Sequence, residues 1–547
     1  MSTTNANSEA ALRPLADEPP FSHQPAETAV ADPRQRRMIL IAMCAALVAV
    51  IASVSGLNVA QQQLASDLGA TQSQLLWVIN GYTIALAALL LPIGAIGDRF
   101  GRKPVLLGGL GVFAVANVLA SIASSPAQLI AFRILGGMGA AMIMPVTLSV
   151  ITSSFPAEER GRAVGIWAGF AGGGGIVGLL TSAILVDNFT WPWLFVGPVA
   201  IGLVAAWLTY RFVPHSKEHS DGRFDLGGSI LSALAVGALV LGIHQGPESG
   251  WLSGLAVFGI TVGLASAVAF VIWEMRQEHP LLDLRVFKNR ALAAGSVGLL
   301  VTFAIIMGLF LVLVQFLQAV LGYSAIRGAV GLLPMAAVMM PLSSVAPGLA
   351  ERFGLRTMLT AGNVFVAIGL ALMALLGSAD GGYFPILPGI LVLGLGMGLS
   401  MSPGTTAITG SLPEDKQGVA SALNDTVREF GGALGIALIG SILSAGYSAN
   451  VKAATVGLPA DAAAAVKEGI GGAFAVSPKI GPNGPAVLEA ARRAFVDGWR
   501  LSMWIAAAIA LAAATFTGIW IPRHRLASAA AEPVDATVDA LELVGGS

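Results

Sequence analysis

The sequence predicts an all-α polytopic membrane protein with fourteen transmembrane helices, and three observations lead to this fold class. Hydrophobic residues make up 55% of the 547 residues and charged residues only 11%, whereas about a quarter of a typical soluble domain is charged. The chain contains fourteen apolar runs of roughly the 20 residues that a helix needs to cross a bilayer. One short charged motif between apolar runs also occurs twice, which indicates two related halves.

The repeated motif is a charged hairpin. Its first copy reads GDRFGRKP at 97–104, and its shorter second copy reads ERFGLR at 351–356. Asp98 stands at the end of a span, where it would face the positive N-terminus of a neighbouring helix. Such a contact can hold one conformation and break in another, so we expect a gate; the alternative is a static turn that obeys the positive-inside rule. The expected gating residues are Gly97, Asp98, Arg99, Gly101, Arg102, Glu351 and Arg352.

The apolar runs and the basic residues between them predict the topology. Residues 1–37 are polar and predict a disordered cytoplasmic tail rather than a signal peptide. Lysine and arginine recur in every second loop, which places both termini, including the tail 523–547, in the cytoplasm. Residues 445–499 are then an extracytoplasmic loop with two short helices near 459–474 and 485–498. The spans fall near 38–60, 75–97, 104–123, 129–151, 161–184, 193–213, 226–244, 252–274, 292–319, 328–350, 357–377, 384–409, 418–444 and 500–521.

Charged residues inside the predicted spans are candidates for proton coupling, because such residues are rare and usually face a cavity or a partner. Arg133 lies inside the fourth span, about two turns beyond Ser125-Pro126, which we expect to start that helix. The alternative is that its side chain snorkels to the interface. Asp425 and Glu429 lie on one face of the thirteenth span, where a proton or gate role and a wet helix end are equally open. The candidates for proton coupling are Asp98, Arg133, Asp425 and Glu429.

Polar side chains and glycines within the spans predict a cavity and close helix contacts. The polar residues together suggest a mainly apolar cavity, although each alone more often makes a hydrogen bond between helices. The glycines of the fifth span permit either rocking of two halves against each other or simple close contact. The cavity candidates are Asn58, Gln62, Asn80, Tyr82, Gln315 and Gln318, and the glycines are Gly172, Gly174 and Gly178.

Several classes of chemistry are not expected. The single cysteine, Cys44, excludes a disulfide within the chain, and the scattered histidines argue against a metal site in the membrane. The chain has no phosphate-binding Walker motif, so a proton gradient rather than ATP is the expected energy source. We expect no cofactor, no nucleic-acid partner, and a monomer that contacts the lipid bilayer and a small-molecule substrate. A membrane enzyme or a sensor is poorly supported because few catalytic groups are present.

These residues give the chain a resemblance to the major facilitator superfamily, in its fourteen-span drug:proton antiporter branch of multidrug efflux type. The resemblance covers about 38–445 and the last span, and rests on the 97–104 hairpin, Arg133 with its following glycines, the fifth span and the Arg428-x-x-Gly-Gly stretch. It implies two six-helix bundles, at 38–213 and 292–522, around a central cavity, with two extra helices in the linker 214–291. It also implies that Asp98 matches the gating acid of the family and Arg133 its proton-coupling arginine.

The resemblance implies secondary active transport by alternating access, and two departures bear on the cargo. Ser53 stands where family members often carry an aspartate, and the fifth span lacks the proline of the antiporter signature. The leading hypothesis is proton-coupled export of amphipathic organic compounds or drugs. The alternative is export of a neutral, anionic or endogenous metabolite, antibiotic or lipid. The even number of spans and the basic loops favour a bacterial inner membrane.

Overall fold

The structure, a computed structural model, describes residues 29–215, 224–412 and 416–521. Within these ranges the chain is helical and has no strand, and fourteen helices are long and apolar enough to cross a membrane. The predicted fold class and the number of spans are therefore confirmed. The helices are α1 (Pro33–Ser55), α2 (Leu57–Leu68), α3 (Gln72–Phe100), α4 (Arg102–Ser121), α5 (Pro126–Ser154), α6 (Ala157–Asn188), α7 (Trp193–Phe212), α8 (Leu226–Ser249), α9 (Gly254–Glu274), α10 (Arg290–Gln315), α11 (Ala325–Phe353), α12 (Leu355–Leu376), α13 (Leu387–Thr409), α14 (Gln417–Val451), α15 (Ala460–Glu468), α16 (Ile470–Val476) and α17 (Gly484–Trp520).

The long helices form two bundles, each with its own apolar core. In the N-terminal bundle, α1 packs on α6 and α7, and α5 packs on α3 and α4, around a core that includes Phe113 and Trp167. In the C-terminal bundle, α12 packs on α13 and α17, and α14 packs on α10 and α17. The rings of Phe316 and Trp499 stack in its core with centroids 4.6 Å apart.

The two extra helices, α8 and α9, form a tight hairpin at the junction of the bundles. A Cβ atom on Gly259 would lie 2.6 Å from the backbone nitrogen of Gly242, so glycine at this position permits the close approach. Helix α8 also contacts α3 of one bundle and α14 of the other, through an apolar cluster that includes Ala87, Val240 and Ala433. The hairpin is therefore attached to both bundles.

Local sequence signals explain where several helices begin. Thr71 and Gln74 form a capping box at the start of α3, in which the side chain of each accepts a hydrogen bond from the backbone nitrogen of the other. Ser125 caps α5, and Pro126 occupies the first turn, where its missing N–H costs nothing. The start of the fourth span that the sequence predicted at these residues is confirmed.

The structure differs from the sequence-based boundaries at the first span. Helix α1 begins at Pro33, so the last residues of the predicted tail 1–37 are helical, while residues 1–28 lie outside the described residues. The span is also interrupted, because α1 ends at Ser55 and α2 begins at Leu57. Gly56 lies between them, and a Cβ on this residue would lie only 2.8 Å from Ser182 Oγ. The interruption therefore lies at a close contact with α6.

Much of the segment 445–499, which was predicted to be a loop, belongs to the long helices on either side of it. Helix α14 runs to Val451 and α17 begins at Gly484, so the predicted helix 485–498 is the first part of the last span. The predicted helix 459–474 is divided at Gly469 into α15 and α16. Tyr447 donates a 2.8 Å hydrogen bond to the Val466 carbonyl, which fastens this region to α14.

The two bundles contact each other at the end of the molecule that carries the 97–104 hairpin, which we call the basic end. Ser343 Oγ of α11 donates a 3.0 Å hydrogen bond to the Gly165 carbonyl of α6. A Cβ on Gly161, one turn closer to this end, would lie 3.1 Å from Pro347. Helices α3 and α14 meet at the same end, so the space between the bundles is closed there.

Candidate gate and proton-coupling site

Asp98 joins the two bundles at the basic end. It lies near the end of α3 and is only 8% exposed. Its Oδ1 accepts a 2.8 Å hydrogen bond from the Gly418 backbone nitrogen, and its Oδ2 accepts a 3.1 Å bond from that of Val419. These N–H groups form the first turn of α14, where unpaired donors and the helix dipole favour a carboxylate. The sequence-based expectation that Asp98 faces a helix N-terminus is met.

Two glycines allow this contact. A Cβ on Gly418 would lie 2.5 Å from Asp98 Oδ1, and a Cβ on Gly94 would lie 2.6 Å from the Gly418 carbonyl oxygen. Any larger residue would therefore separate α3 from α14. Arg102 Nη2 lies 3.3 Å from Asp98 Oδ1, so the carboxylate is also paired within its own hairpin. The interbundle contact thus depends on a buried anion and two close backbones.

The second copy of the hairpin repeats the backbone turn but not this contact. Gly101 and Gly354 both have positive φ, at 106° and 88°, and each donates a backbone hydrogen bond four residues back. Glu351, which corresponds to Asp98, is exposed, as is Arg352, whose guanidinium lies 5.3 Å from the Phe353 ring. The repeat is real, but the structure places Glu351 and Arg352 at the surface rather than in a gate.

Arg133 is buried in the N-terminal bundle and does not snorkel. It is 2% exposed, and its Nη1 and Nε donate to Ser53 Oγ and the Val78 carbonyl at 2.9 and 3.2 Å. Its guanidinium lies 4.1 Å from the centroid of the Tyr82 ring. Ser53 in turn donates to Asn117 Oδ1 at 3.1 Å. Arg133 Nη2 has no hydrogen-bond partner among the described residues, so this buried cation is only partly satisfied.

Asp425 is a fully buried acid in α14. Its Oδ1 accepts hydrogen bonds from Arg428 Nη1 and Asn424 Nδ2, both at 3.1 Å. Its Oδ2 is buried without a partner in the described part of the chain. Asp425 is 0% exposed, so the wet helix end that the sequence left open is excluded for this residue. A buried carboxylate with one unpaired oxygen is a site where a proton can bind.

Arg428 connects this acid to the other bundle. Its guanidinium lies 4.5 Å from the Phe303 ring of α10 and 5.2 Å from the Trp167 ring of α6, within the range of a cation–π contact. The Trp167 indole donates a 3.1 Å hydrogen bond to Thr147 Oγ1, which fixes the ring. Asp425, Arg428 and Trp167 therefore form a charged link across the interface between the bundles.

Comparison with known proteins agrees with this architecture. The model of the Major Facilitator Superfamily matches residues 41–436, which is most of the chain. This protein belongs to the major facilitator superfamily. The prediction of a transporter rather than an enzyme is confirmed by this membership.

Individual relatives narrow the comparison, and a solved structure has the same fold. It is 34% identical to the multidrug efflux pump LfrA of Mycolicibacterium smegmatis over 83% of this chain and 90% of the relative. It is 31% identical to the methyl viologen resistance protein SmvA of Salmonella typhimurium over 88% and 97%. The solved structure of the proton:xylose symporter XylE superimposes with a TM-score of 0.57 over 89% of this chain and 96% of that chain, at 14% identity.

The glycines of the fifth span in this transporter serve two different contacts. A Cβ on Gly172 would lie 2.9 and 3.0 Å from the Cε atoms of Met339 and Met401, in the other bundle. A Cβ on Gly174 would make only ordinary contacts with α1, at 3.7 Å or more, and Gly178 is buried. Close contact between the bundles is therefore concentrated on one face of α6.

The predicted cavity residues of the transporter are dispersed. Tyr82 is fully buried in the N-terminal bundle, where its hydroxyl donates to the Val50 carbonyl at 3.4 Å. Gln315 is half-buried and Gln318 is exposed in the last turns of the ninth span. The structure describes the backbone of Asn58 and Gln62 in α2, but their side chains lie outside the described residues. Tyr82 therefore belongs to the bundle core rather than to an open cavity in this conformation.

Asn80 has a hydrogen-bond partner that was not predicted from the sequence. Its Nδ2 donates a 2.8 Å hydrogen bond to Glu248 Oε1, and Gln245 Nε2 donates to Glu248 Oε2 at 3.1 Å. Glu248 belongs to α8, which extends to Ser249, beyond the predicted end of that span at 244. The signal in the sequence is Glu248 itself, which would have been a candidate partner if the seventh span had been extended to Ser249. Asn80 therefore ties the extra hairpin to α3.

Proposed function

We propose that this transporter is a proton-driven exporter of amphipathic organic compounds, including drugs, in a bacterial inner membrane. The names of its relatives support export of toxic compounds, since LfrA is described as a multidrug efflux pump and SmvA as a methyl viologen resistance protein. Lysine and arginine at the basic end support a cytoplasmic position for that end and for both termini. Closure there corresponds to an outward-facing state.

The observation that carries the proposal is the contact between Asp98 and the first turn of α14. Because Asp98 belongs to one bundle and α14 to the other, the cytoplasmic side opens only when the hydrogen bonds to Gly418 and Val419 break. Hydrogen bonds to a charged group contribute about 1.5–3 kcal/mol each, so the contact strongly favours the outward-facing state. Asp98 then acts as a gate, as the resemblance implies.

The proton site proposed for this cycle is Asp425, with Glu429 one turn further along α14. Asp425 lies seven residues from Gly418 on the same helix, a rise of about 10 Å. Protonation of Asp425 removes the charge that holds Arg428, and so weakens the cation–π link of Arg428 to Trp167. A change in that link moves α14 against α6, and the same movement strains the hydrogen bonds of Asp98.

The transport cycle follows because Gly418, which binds Asp98, and Asp425, the proposed proton site, lie on one helix. In the outward-facing state, a proton from outside displaces cargo and neutralises Asp425. The weakened link lets α14 withdraw from α3, and the cytoplasmic side opens. Release of the proton to the cytoplasm restores the ion pair of Asp425 and Arg428, and binding of new cargo accompanies the return. Arg133 supplies a fixed buried positive charge in the N-terminal bundle.

Transport in inside-out vesicles tests the proposal. With an acidic lumen, the native protein should accumulate a lipophilic cation, and Asp98→Asn should abolish accumulation because an amide accepts fewer hydrogen bonds from α14. Glu351→Gln is the matched control, since Glu351 is the equivalent but exposed acid, and it should transport normally. Full accumulation by folded Asp98→Asn would reject the gate.

A second candidate is export of a neutral or anionic compound, and one observation favours it. Arg133 is buried with hydrogen bonds to Ser53 and a backbone carbonyl but has no carboxylate partner among the described residues. A buried uncompensated cation repels a cationic cargo and attracts an anion. Accumulation of a neutral or anionic dye, without accumulation of a lipophilic cation in the same vesicles, would favour this candidate.

A further inference from the structure

A groove of about 840 Å³ lies on the outer face of the N-terminal bundle, away from the interface between the bundles. Helix α1 forms its floor, α6 forms one wall, and Ile201 of α7 lies on the other side. The residues of α6 that line it, such as Ile166 and Phe170, are on a different face from Gly165 and Gly169, which contact α11, and no lining residue belongs to the C-terminal bundle. The groove therefore opens towards lipid rather than towards the central cavity. Its apolar lining includes Leu40, Cys44, Val48, Ile166, Phe170 and Ile201.

The mouth of the groove at the basic end is positively charged. Three arginines and one glutamate line it: Arg36, Arg37, Arg162 and Glu159. Arg36 Nη2 is paired with Glu159 Oε1 at 2.9 Å. Arg37 and Arg162 are exposed, and in the described part of the chain neither has a carboxylate partner. Two exposed guanidinium groups that lack a carboxylate partner within the described ranges thus lie at the basic end of an apolar groove.

We propose that this groove binds an anionic phospholipid, with the phosphate held between Arg37 and Arg162 and an acyl chain along the apolar lining. The volume is within the range of sites that hold a small molecule. Basic groups at the cytoplasmic ends of membrane helices attract anionic lipid head groups. Guanidinium groups also bind phosphate through two parallel hydrogen bonds.

Charge complementarity favours an anionic head group over a zwitterionic one. A zwitterionic lipid would bring its own ammonium group to a mouth that already has an excess of positive charge. Each arginine near the membrane surface strengthens binding of an anionic lipid about five-fold. Loss of both free arginines should therefore weaken binding about 25-fold, while the apolar lining is unchanged.

Photo-crosslinking with lipids that carry a diazirine in one acyl chain tests this site. The full-length protein is purified, exposed to diazirine phosphatidylglycerol or diazirine phosphatidylcholine, and the adducts are mapped by mass spectrometry. We expect phosphatidylglycerol adducts on 40–48 of α1 and 163–170 of α6, well above those of phosphatidylcholine. The variant Arg37→Gln/Arg162→Gln should lose them, and unlabelled phosphatidylglycerol should compete.

The matched control is Arg285→Gln/Lys288→Gln, which removes two exposed charges from the linker and should leave the adducts unchanged. Val48→Trp, which fills the groove without a change of charge, should also abolish them, and monodisperse protein establishes that each variant is folded. Equal labelling by both lipids, or labelling unaffected by Arg37→Gln/Arg162→Gln, would overturn the proposal.

Two other occupants give distinct results. If the groove holds the cargo, a lipophilic cation will displace the adducts while unlabelled phosphatidylglycerol will not, which would overturn the lipid assignment. If residues 1–28 of the chain cover the groove, neither lipid will label 40–48 or 163–170, which would overturn it as well.

Discussion

Arg133 Nη1 donates a 2.9 Å hydrogen bond to Ser53 Oγ inside the N-terminal bundle. Both side chains are almost completely buried, at 2% and 3% exposed. Ser53 occupies the position at which many family members carry an aspartate. The guanidinium charge is therefore shared with a hydroxyl, a backbone carbonyl and the Tyr82 ring instead of a carboxylate. A single substitution at Ser53 should therefore change which cargo charge the transporter prefers.

The variant Ser53→Asp should improve transport of cationic cargo. The new carboxylate would lie within reach of Arg133 Nη1 and neutralise it. A charge about 10 Å from the cargo changes its binding free energy by about 1.5 kcal/mol at an effective dielectric constant near 20, so the KM for a lipophilic cation should fall about tenfold. Ser53→Asn is the uncharged control and should leave the KM unchanged. An equal effect of the two variants would show that shape rather than charge is responsible.

The variant Gly418→Ala should shift the transporter towards the inward-facing state. Its Cβ would lie 2.5 Å from Asp98 Oδ1, so α3 and α14 must separate and the backbone hydrogen bonds to Asp98 are lost. A loss of about 2 kcal/mol changes the ratio of the two states about 30-fold. Spin labels at Glu158 and Glu351, exposed on different bundles, should report a longer distance in a Cys44→Ala background.

Gly348→Ala is the control for that measurement, because a Cβ on Gly348 would meet nothing within 4 Å. The distance between the two spin labels in Gly348→Ala should match that in the protein with both glycines unchanged. An unchanged distance in Gly418→Ala would mean that Asp98 adapts without opening the gate, and the gate assignment would then lose its main support.

The variant Asp425→Asn should destabilise the protein and uncouple transport. It leaves Arg428 buried without its carboxylate, and loss of one member of a buried pair costs about 3–5 kcal/mol. The second substitution Arg428→Gln should restore much of this stability, because no unpaired charge remains, but it should not restore proton-driven accumulation. Thermal unfolding in detergent and vesicle transport measure the two effects separately.

Glu429→Gln is the comparison for Asp425→Asn. Glu429 is only half-buried, so its amide variant should unfold near the native temperature. If it alone abolishes proton-driven accumulation while Asp425→Asn retains it, Glu429 is the proton carrier. If Asp425→Asn alone unfolded at the native temperature, the assigned ion pair of Asp425 and Arg428 would be contradicted.

The membrane fold and the position of the gate acid were predictable from sequence because both have local signals. Apolar runs give the spans, and an acid just before a turn glycine identifies Asp98 as a helix-end carboxylate. Its partner was not predictable, since Gly418 is 320 positions away and only the docking of the bundles brings them together. The same limitation applies to Trp167, whose contact with Arg428 crosses the bundle interface.

Polar residues within the spans were harder to place. Tyr82 and Arg133 both interrupt apolar runs, yet one stacks on the other in the bundle core, so Tyr82 was assigned to a cavity incorrectly for this conformation. Helix ends were also uncertain, because α8 continues through Pro247 to Ser249 and carries Glu248 with it. The pattern of apolar residues shows that a polar residue lies in a span, but it does not show which neighbour forms its hydrogen bond.

The sequence left two explanations open for the glycines of the fifth span, close contact between helices and a pliable helix on which the two halves rock. Substitutions at three of these glycines can separate them. A Cβ on Gly165 would lie 2.5 Å from the Ser343 carbonyl oxygen and 3.1 Å from Ser344 Cα, both backbone atoms that cannot move aside. At Gly172 the nearest atoms are the flexible ends of two methionines, and at Gly174 the contacts are ordinary. If close approach of the bundles is the function, vesicle transport should be abolished in Gly165→Ala, reduced slightly in Gly172→Ala and unchanged in Gly174→Ala. If helix pliability is the function, the three variants should be equally impaired, because alanine stiffens α6 by a similar amount at each position.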